Sequence, residues 1–304
     1  MLQILHTLSL QFPKRKVMKI VFVFLMPLFM YAQSISLQIL GSGGPEFSER
    51  ASSSYIIWVD GKARVLVDVG GGSFLRFTQS GAKIEDLKVL ALTHLHIDHS
   101  ADLPQFMKAG YFTNRRELLP ILGTTSRGDF PDIYDYLERL FGRHGAYAYM
   151  HDILTSQTDS FQIQAILRDQ KLRTMQIDDI KINTVGVHHG NIPAIAYAFE
   201  IAGKKIVFTG DTSANRDVLI ALAKDADYLI AHHAVPEHVG EFAKKLHMTP
   251  KRIGEVAKAA NVKHLILSHR MNRTLNLEKE SEARIRENFK NEIVWAEDLL
   301  KIEF

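Results

Sequence analysis

Thr93-His94-Leu95-His96-Ile97-Asp98-His99 sets four potential metal-binding side chains within six residues, and its reading decides the fold. It follows Lys88-Val89-Leu90-Ala91-Leu92, an apolar run of the length and composition of a strand buried on both faces. Side chains two apart on an extended segment point the same way, so His94 and His96 converge on one ion. As the chain turns toward a helix, Asp98 and His99 face a second. Imidazole nitrogen and carboxylate oxygen suit zinc, and also manganese or iron, so the spacing locates a site without naming its ion. The chain carries 14 His and no Cys. Any metal site must therefore use His and carboxylate, and neither disulfides nor a thiolate nucleophile is available.

Outward from this stretch the chain looks internally duplicated. In the first half, strands Tyr55–Val59 and Ala63–Val67 flank Asp60-Gly61, a hairpin signal, and the second strand ends in Asp68. In the second half, Ala196–Glu200 and Lys205–Phe208 flank Ala202-Gly203, and Thr209-Gly210-Asp211 follows. A helix over Ala214–Lys224, a strand over Tyr228–Ala231, a helix over Pro250–Ala260 and a strand over His264–Leu267 come next, the last delivering Ser268-His269. Two sheet-and-helix halves imply an α/β (α+β) chain folded as a four-layer αββα sandwich of two mixed sheets. It reads as one domain over residues 35–304, with residues 101–179, including a helix over Asp132–Phe141, as an insertion beside the site.

With 304 residues, 46% hydrophobic and 23% charged, the chain is neither disordered nor a multi-span membrane protein. The net charge of +3 is smaller than the contribution of Lys14, Arg15, Lys16 and Lys19 alone, so the remainder has no basic bias toward nucleic acid. After those residues an apolar run from Ile20 to Ala32 is too short to span a bilayer and has the length of a secretory signal core. Residues 1–32 are accordingly expected to be a signal peptide, cut after Ala32 or retained as an uncleaved anchor, with Met18 an alternative start. The expected destination is the periplasm or the outside of the cell, with no stable membrane span beyond that segment.

The histidine stretch resembles the HxHxDH signature of the metallo-β-lactamase superfamily, and the resemblance extends over nearly all of residues 36–304. It implies the duplicated αββα fold and seven ligands for two divalent ions, zinc first: His94, His96, Asp98, His99, His189, Asp211 and His269. From the residues themselves, Asp211 and His269 each end an apolar strand and so reach the rim where His94 emerges. His188 competes with His189 for the third position, since adjacent strand residues face opposite ways. The following Gly190-Asn191-Ile192-Pro193 resembles the family's His-Gly-x-x-Pro approach to the second hairpin, which favours His189 and leaves His188 a supporting or packing role.

Within the superfamily the chain is most similar to the branch of ribonuclease Z and the metal-dependent arylsulfatases, through Leu40–Pro45, His247-Met248-Thr249 and Ser268-His269-Arg270. That resemblance implies His247 as proton donor to the leaving group, the other reading being a histidine at the surface or a helix start. Asp68 mirrors Asp211 and either holds His94 or His96 by a hydrogen bond or serves only the turn. His232 is a further supporting candidate. Arg50 and Arg273 either bind an anionic substrate or form surface salt bridges. The chain departs from ribonuclease Z in lacking a Lys before Arg50, in having His232-His233-Ala234-Val235, and in having no Gly-rich basic arm within residues 101–179.

Two ions sharing a water would lower its pKa and yield a hydroxide nucleophile, with Asp98 and His247 as the acting side chains. The expected activity is hydrolysis of a small anionic ester, an aryl sulfate or a phosphodiester, without a nucleic-acid partner and with a homodimer as one possible assembly. The alternatives are a lactone or β-lactam hydrolase, a ribonuclease Z-like nuclease, and a non-catalytic metal-binding envelope protein.

Overall fold

The computed structural model describes residues 33–155, 161–214 and 217–304. The expected signal segment, residues 1–32, lies outside them. Fourteen strands run β1 (Ile35–Gly41), β2 (Ser54–Val59), β3 (Lys62–Val67), β4 (Val89–Ala91), β5 (Leu119–Thr124), β6 (Ile163–Arg168), β7 (Arg173–Ile177), β8 (Ile180–His189), β9 (Ile192–Ile201), β10 (Lys204–Phe208), β11 (Tyr228–His232), β12 (His264–Ser268), β13 (Glu292–Trp295) and β14 (Lys301–Glu303). The helices are α1 (Ser73–Gln79), α2 (Ile97–Ser100), α3 (Leu103–Gly110), α4 (Ile133–Phe141), α5 (Val218–Ala223), α6 (Glu241–Leu246), α7 (Pro250–Ala259) and α8 (Glu278–Arg286). None among the described residues is long and apolar enough to cross a membrane.

The strands form two seven-stranded mixed sheets, ordered β14-β1-β2-β3-β4-β5-β6 and β13-β12-β11-β10-β9-β8-β7. Three apolar clusters separate four layers. One, with Ile57, Val65, Tyr197 and Phe199, lies between the sheets. The second packs Phe77, Phe106 and Leu137 of α1, α3 and α4 on the outer face of the first sheet. The third packs Leu219, Val256 and Ile285 of α5, α7 and α8 on the second.

Strand β9 shows how sequence builds this arrangement. Ile195, Tyr197, Phe199 and Ile201 fill the inter-sheet core while Ala194, Ala196 and Ala198 let the helices approach the other face. The sheets are also joined by two phenols reaching in opposite directions. Tyr55 Oη of β2 donates to Ser268 Oγ of β12 at 2.8 Å, and Tyr197 Oη of β9 donates to the Leu92 carbonyl at 2.9 Å.

The four-layer duplicated sandwich and both hairpins are as expected. The reading of residues 101–179 as an insertion needs correction. Strands β5 and β6 continue the first sheet in parallel register from β4, and β7 forms the far edge of the second sheet. The order β4-α3-β5-α4-β6 repeats as β11-α7-β12-α8-β13, so the duplication is longer than it looked. Pro120 and Gly123 within β5 disguise it as a loop, yet burial on both faces holds it as a strand. The helix expected from Ala214 is described only from Val218.

Candidate metal centre

The chemistry-bearing side chains gather where β4, β8, β10, β11 and β12 end. Beyond β4, His96 is the extended residue before the single turn of α2, which carries Asp98 and His99. Asp68, wholly buried and in left-handed backbone (φ 54°), organises this segment. Its carboxylate accepts from Thr93 N at 2.7 Å and Thr93 Oγ1 at 2.9 Å, and it lies 2.8 Å from His99 Nδ1. Asp68 therefore supports a site histidine, but that histidine is His99, not His94 or His96. The helical turn swings His99 back over the end of β3, while His94 Nδ1 faces Thr93 Oγ1 at 3.1 Å.

In the second half, Gly210 (φ 56°) turns the chain after β10 and delivers Asp211 beneath the first-half histidines. A Cβ on Gly210 would stand 2.8 Å from Thr93 Cβ, so only glycine allows the two halves to meet this closely. His189 gives its Nδ1–H to the Leu246 carbonyl at 2.8 Å, which leaves Nε2 with its lone pair facing the centre. His269 sits just past β12 with φ 56°, its ring against Gly44.

Two donor groups result, His94, His96, His189 and Asp211 in one and His99, Asp211, His232 and His269 in the other, each with its ligand atoms within 4.8 Å of one another. Asp211 belongs to both. Its Oδ2 is 3.9 Å from His94 Nε2, 3.6 Å from His189 Nε2 and 3.9 Å from His99 Nε2, while Oδ1 is 3.5 Å from His269 Nε2. Asp98 joins the second group, its Oδ2 lying 3.1 Å from His269 Nε2 and 3.5 Å from His99 Nε2.

All seven expected ligands thus converge, and the chain tests well against a metal. The Nε2 atoms of His99 and His189 are buried without a hydrogen-bond partner. His94 Nε2 and His96 Nδ1 lie 3.0 Å apart, close to the ~3.3 Å that two nitrogens on one tetrahedral zinc adopt. Orphaned, converging lone pairs of this kind fit a divalent cation and are costly otherwise.

Charges within the cluster follow its burial. His94 is pushed well below the ordinary imidazole range by burial and by neighbouring His99. His247 is depressed by burial to about 3. For His99 burial acts downward, but Asp68 and Asp98 outweigh it and raise the ring to about 9. Burial acts upward on Asp98 and Asp211, yet His99 holds Asp98 near about 2, and His269 and His247 hold Asp211 well below the carboxylate range.

The supporting candidates fare unevenly. His232 Nδ1 lies 2.8 Å from Asp211 Oδ1 and its Nε2 3.2 Å from Tyr55 Oη, so it braces the shared carboxylate. His188 points to the other side of β8, toward Ser213 Oγ at 2.9 Å, and steadies the turn after Asp211. His247 Nδ1 stands 3.8 Å from Asp211 Oδ1 at the rim. Arg273 is exposed and near enough to His247 to lower its pKa further, with Nε anchored on the Ala234 carbonyl at 2.7 Å. Arg50 is not brought to the centre. It is held by Glu297 and by Ser42 Oγ, which corrects its assignment to substrate and favours the salt-bridge reading. The sequence reading missed Phe130, whose ring lies 5.6 Å from that of His96, and the role of Tyr55. Neither residue has a local signal, since each acts across the fold.

Residues 63–270 match the family described as "Beta-lactamase superfamily domain". Among curated relatives, a ribonuclease Z of Mycobacterium sp. (strain KMS) is 27% identical over 280 residues, covering 88% of this chain and 96% of that one. A zinc phosphodiesterase ELAC protein 2 homolog of Caenorhabditis elegans is 25% identical over 72% of this chain, which spans only 30% of that longer protein. The solved structure of the metallo-beta-lactamase fold protein YhfI from Bacillus subtilis covers 90% of this chain and 100% of its own, with a TM-score of 0.71 and 19% identity.

Proposed function

The chain belongs to the metallo-β-lactamase superfamily, and from that membership we propose that the bond it hydrolyses is a phosphodiester, with oligonucleotides within its substrate class. The observation that carries the reading is the pair of donor groups sharing Asp211. His94, His96 and His189 would hold one divalent ion, zinc or manganese, and Asp98, His99 and His269 a second, with Asp211 common to both. Bound there, the ions supply Lewis acidity toward a phosphoryl oxygen and acidify water toward neutrality.

The chain's own residues do the remaining work. Asp211 ties the two groups together, and His232 fixes its carboxylate. Asp98 and His99 share one helical turn, in which Asp68 holds the His99 ring. His247 stands at the rim as hydrogen donor to the leaving oxygen. Arg273 presents a guanidinium to a non-bridging oxygen of an anionic substrate. No side-chain nucleophile is required.

The names of the sequence relatives, a ribonuclease and a phosphodiesterase, support phosphodiesters over aryl sulfates. They also widen the expected partner from a small ester alone to nucleic acid. The basic and then apolar N-terminus supports export, which fractionation of the full-length protein tests.

The decisive experiment is a panel of bis(p-nitrophenyl) phosphate, p-nitrophenyl phosphate, p-nitrophenyl sulfate, a lactone and a cephalosporin. It is run with chelator-treated protein and again with zinc or manganese restored. Phosphodiester turnover that disappears on metal removal and returns with the ion is expected. Sulfate or ring-opening activity exceeding it overturns the proposal.

A further inference from the structure

Beside the metal centre lies a cavity of about 230 Å³, walled by Thr125, Ser126 and Arg127 after β5, by Gln170 and by His188. It adjoins the centre on two sides. The Gly190 turn that directly follows His189 forms part of its lining. The loop that carries Arg127 closes on itself through Arg127 and Phe130, and Phe130 packs beside His96.

Its chemistry is that of an anion site. Among the described residues, no carboxylate lines it. Arg127 makes no ion pair among the described residues, and its Nη2 donates to the neutral Asn191 Oδ1 at 3.4 Å. Deeper along the same strands, Arg168 of β6 pairs in register with Thr124 and gives its Nε–H to Thr184 Oγ1 at 3.1 Å. Its Nη2 is buried without a hydrogen-bond partner. Gln170 and Gly186, two residues beyond Arg168 and Thr184, are both in the lining, so Arg168 stands on the strands that lead into the cavity. One arginine, two hydroxyls, an amide and an imidazole line the hollow and form a cradle of hydrogen donors for a phosphate.

We propose that this cavity is a second phosphate subsite, which takes the phosphate next to the scissile one and thereby selects substrates with at least two phosphates in series. The inference rests on the phosphodiesterase reading for the word substrate, but its test reads binding separately from turnover. The ligands are two phosphorothioate-linked dinucleotides, alike except for a terminal phosphate on one, with inorganic phosphate as a third. Their affinity for the metal-loaded protein is measured by calorimetry, for the wild type, R127A and R127K.

The terminal phosphate is expected to tighten binding about tenfold, R127A to abolish that increment, and R127K to restore part of it, because lysine keeps the charge and loses the fork. Arg127 is exposed, so R127A should fold, which a thermal melt checks. If the terminal phosphate adds no affinity, or R127A weakens both dinucleotides alike, the subsite is overturned. If inorganic phosphate binds as tightly as the phosphorylated dinucleotide and R127A weakens both equally, the hollow is a free-phosphate site and the substrate role fails. If the increment and its dependence on Arg127 hold while no diester is hydrolysed, the subsite stands and the proposed activity fails.

Discussion

Asp68 is sealed from solvent and gives both carboxylate oxygens to Thr93 and His99. Its charge orients the His99 ring and sets which nitrogen is free for a metal. D68N retains an acceptor for Thr93 N but sets an amide N–H against His99 Nδ1. The expected result is metal affinity lowered by about 10- to 100-fold, read by chelator competition, with far-UV circular dichroism unchanged. At the rim, His247 should matter in proportion to the basicity of the leaving group. H247A is expected to reduce kcat for a dinucleotide by about 100-fold, and for bis(p-nitrophenyl) phosphate, whose phenolate leaves unaided, by less than about fivefold. Equal losses on both substrates would remove His247 as donor. The ligand histidines were legible because their spacing is local: His94 and His96 lie two apart on extended chain, and Asp98-His99 open a turn. What Asp68 holds, and where Arg50 goes, were not legible, because the choice of partner depends on loops far apart in sequence.

Among elements, β5 shows the limit of local reading. Its Pro and Gly speak against a strand, and only the neighbours β4 and β6 make it one. The hairpins β2-β3 and β9-β10, by contrast, declare themselves through Asp60-Gly61 and Ala202-Gly203, with positive φ at all four residues. Leading into β5 is Arg115, buried and, among the described residues, in no ion pair. It donates instead to the carbonyls of Ile84 at 2.8 Å, Leu87 at 2.7 Å and Leu118 at 3.2 Å. R115A would leave the Leu87 and Leu118 carbonyls without their side-chain donor, at a cost of about 3 kcal/mol measured by urea denaturation. A loss below about 1 kcal/mol would mean that water replaces the guanidinium freely.

For the whole molecule, the C-terminal segment reunites the two halves. Ile39 N and Leu299 N exchange hydrogen bonds with Leu300 O and Ile39 O, and β14 then covers the outer edge of β1. Asp298 accepts from Ser42 N at 3.0 Å and Ala51 N at 2.8 Å, pinning the loop whose Gly44 lies on His269. Truncation after Trp295 would bare the β1 edge and release that loop. The melting temperature should fall by roughly 10 °C, with self-association visible by size-exclusion chromatography. An unchanged melt would show that the tail is dispensable.

The crossed phenols beneath the metal centre bear on how anything reaches it. Tyr55 and Tyr197 each anchor in one sheet and grip the other, so a sideways slip of the layers would break both bonds together. Layers riveted in this way do not part to admit a ligand. Entry and exit therefore fall to the surface segments above the seam, those carrying Phe130, His247 and Arg273. Changes confined to those segments should retune what the centre accepts while its floor stays still.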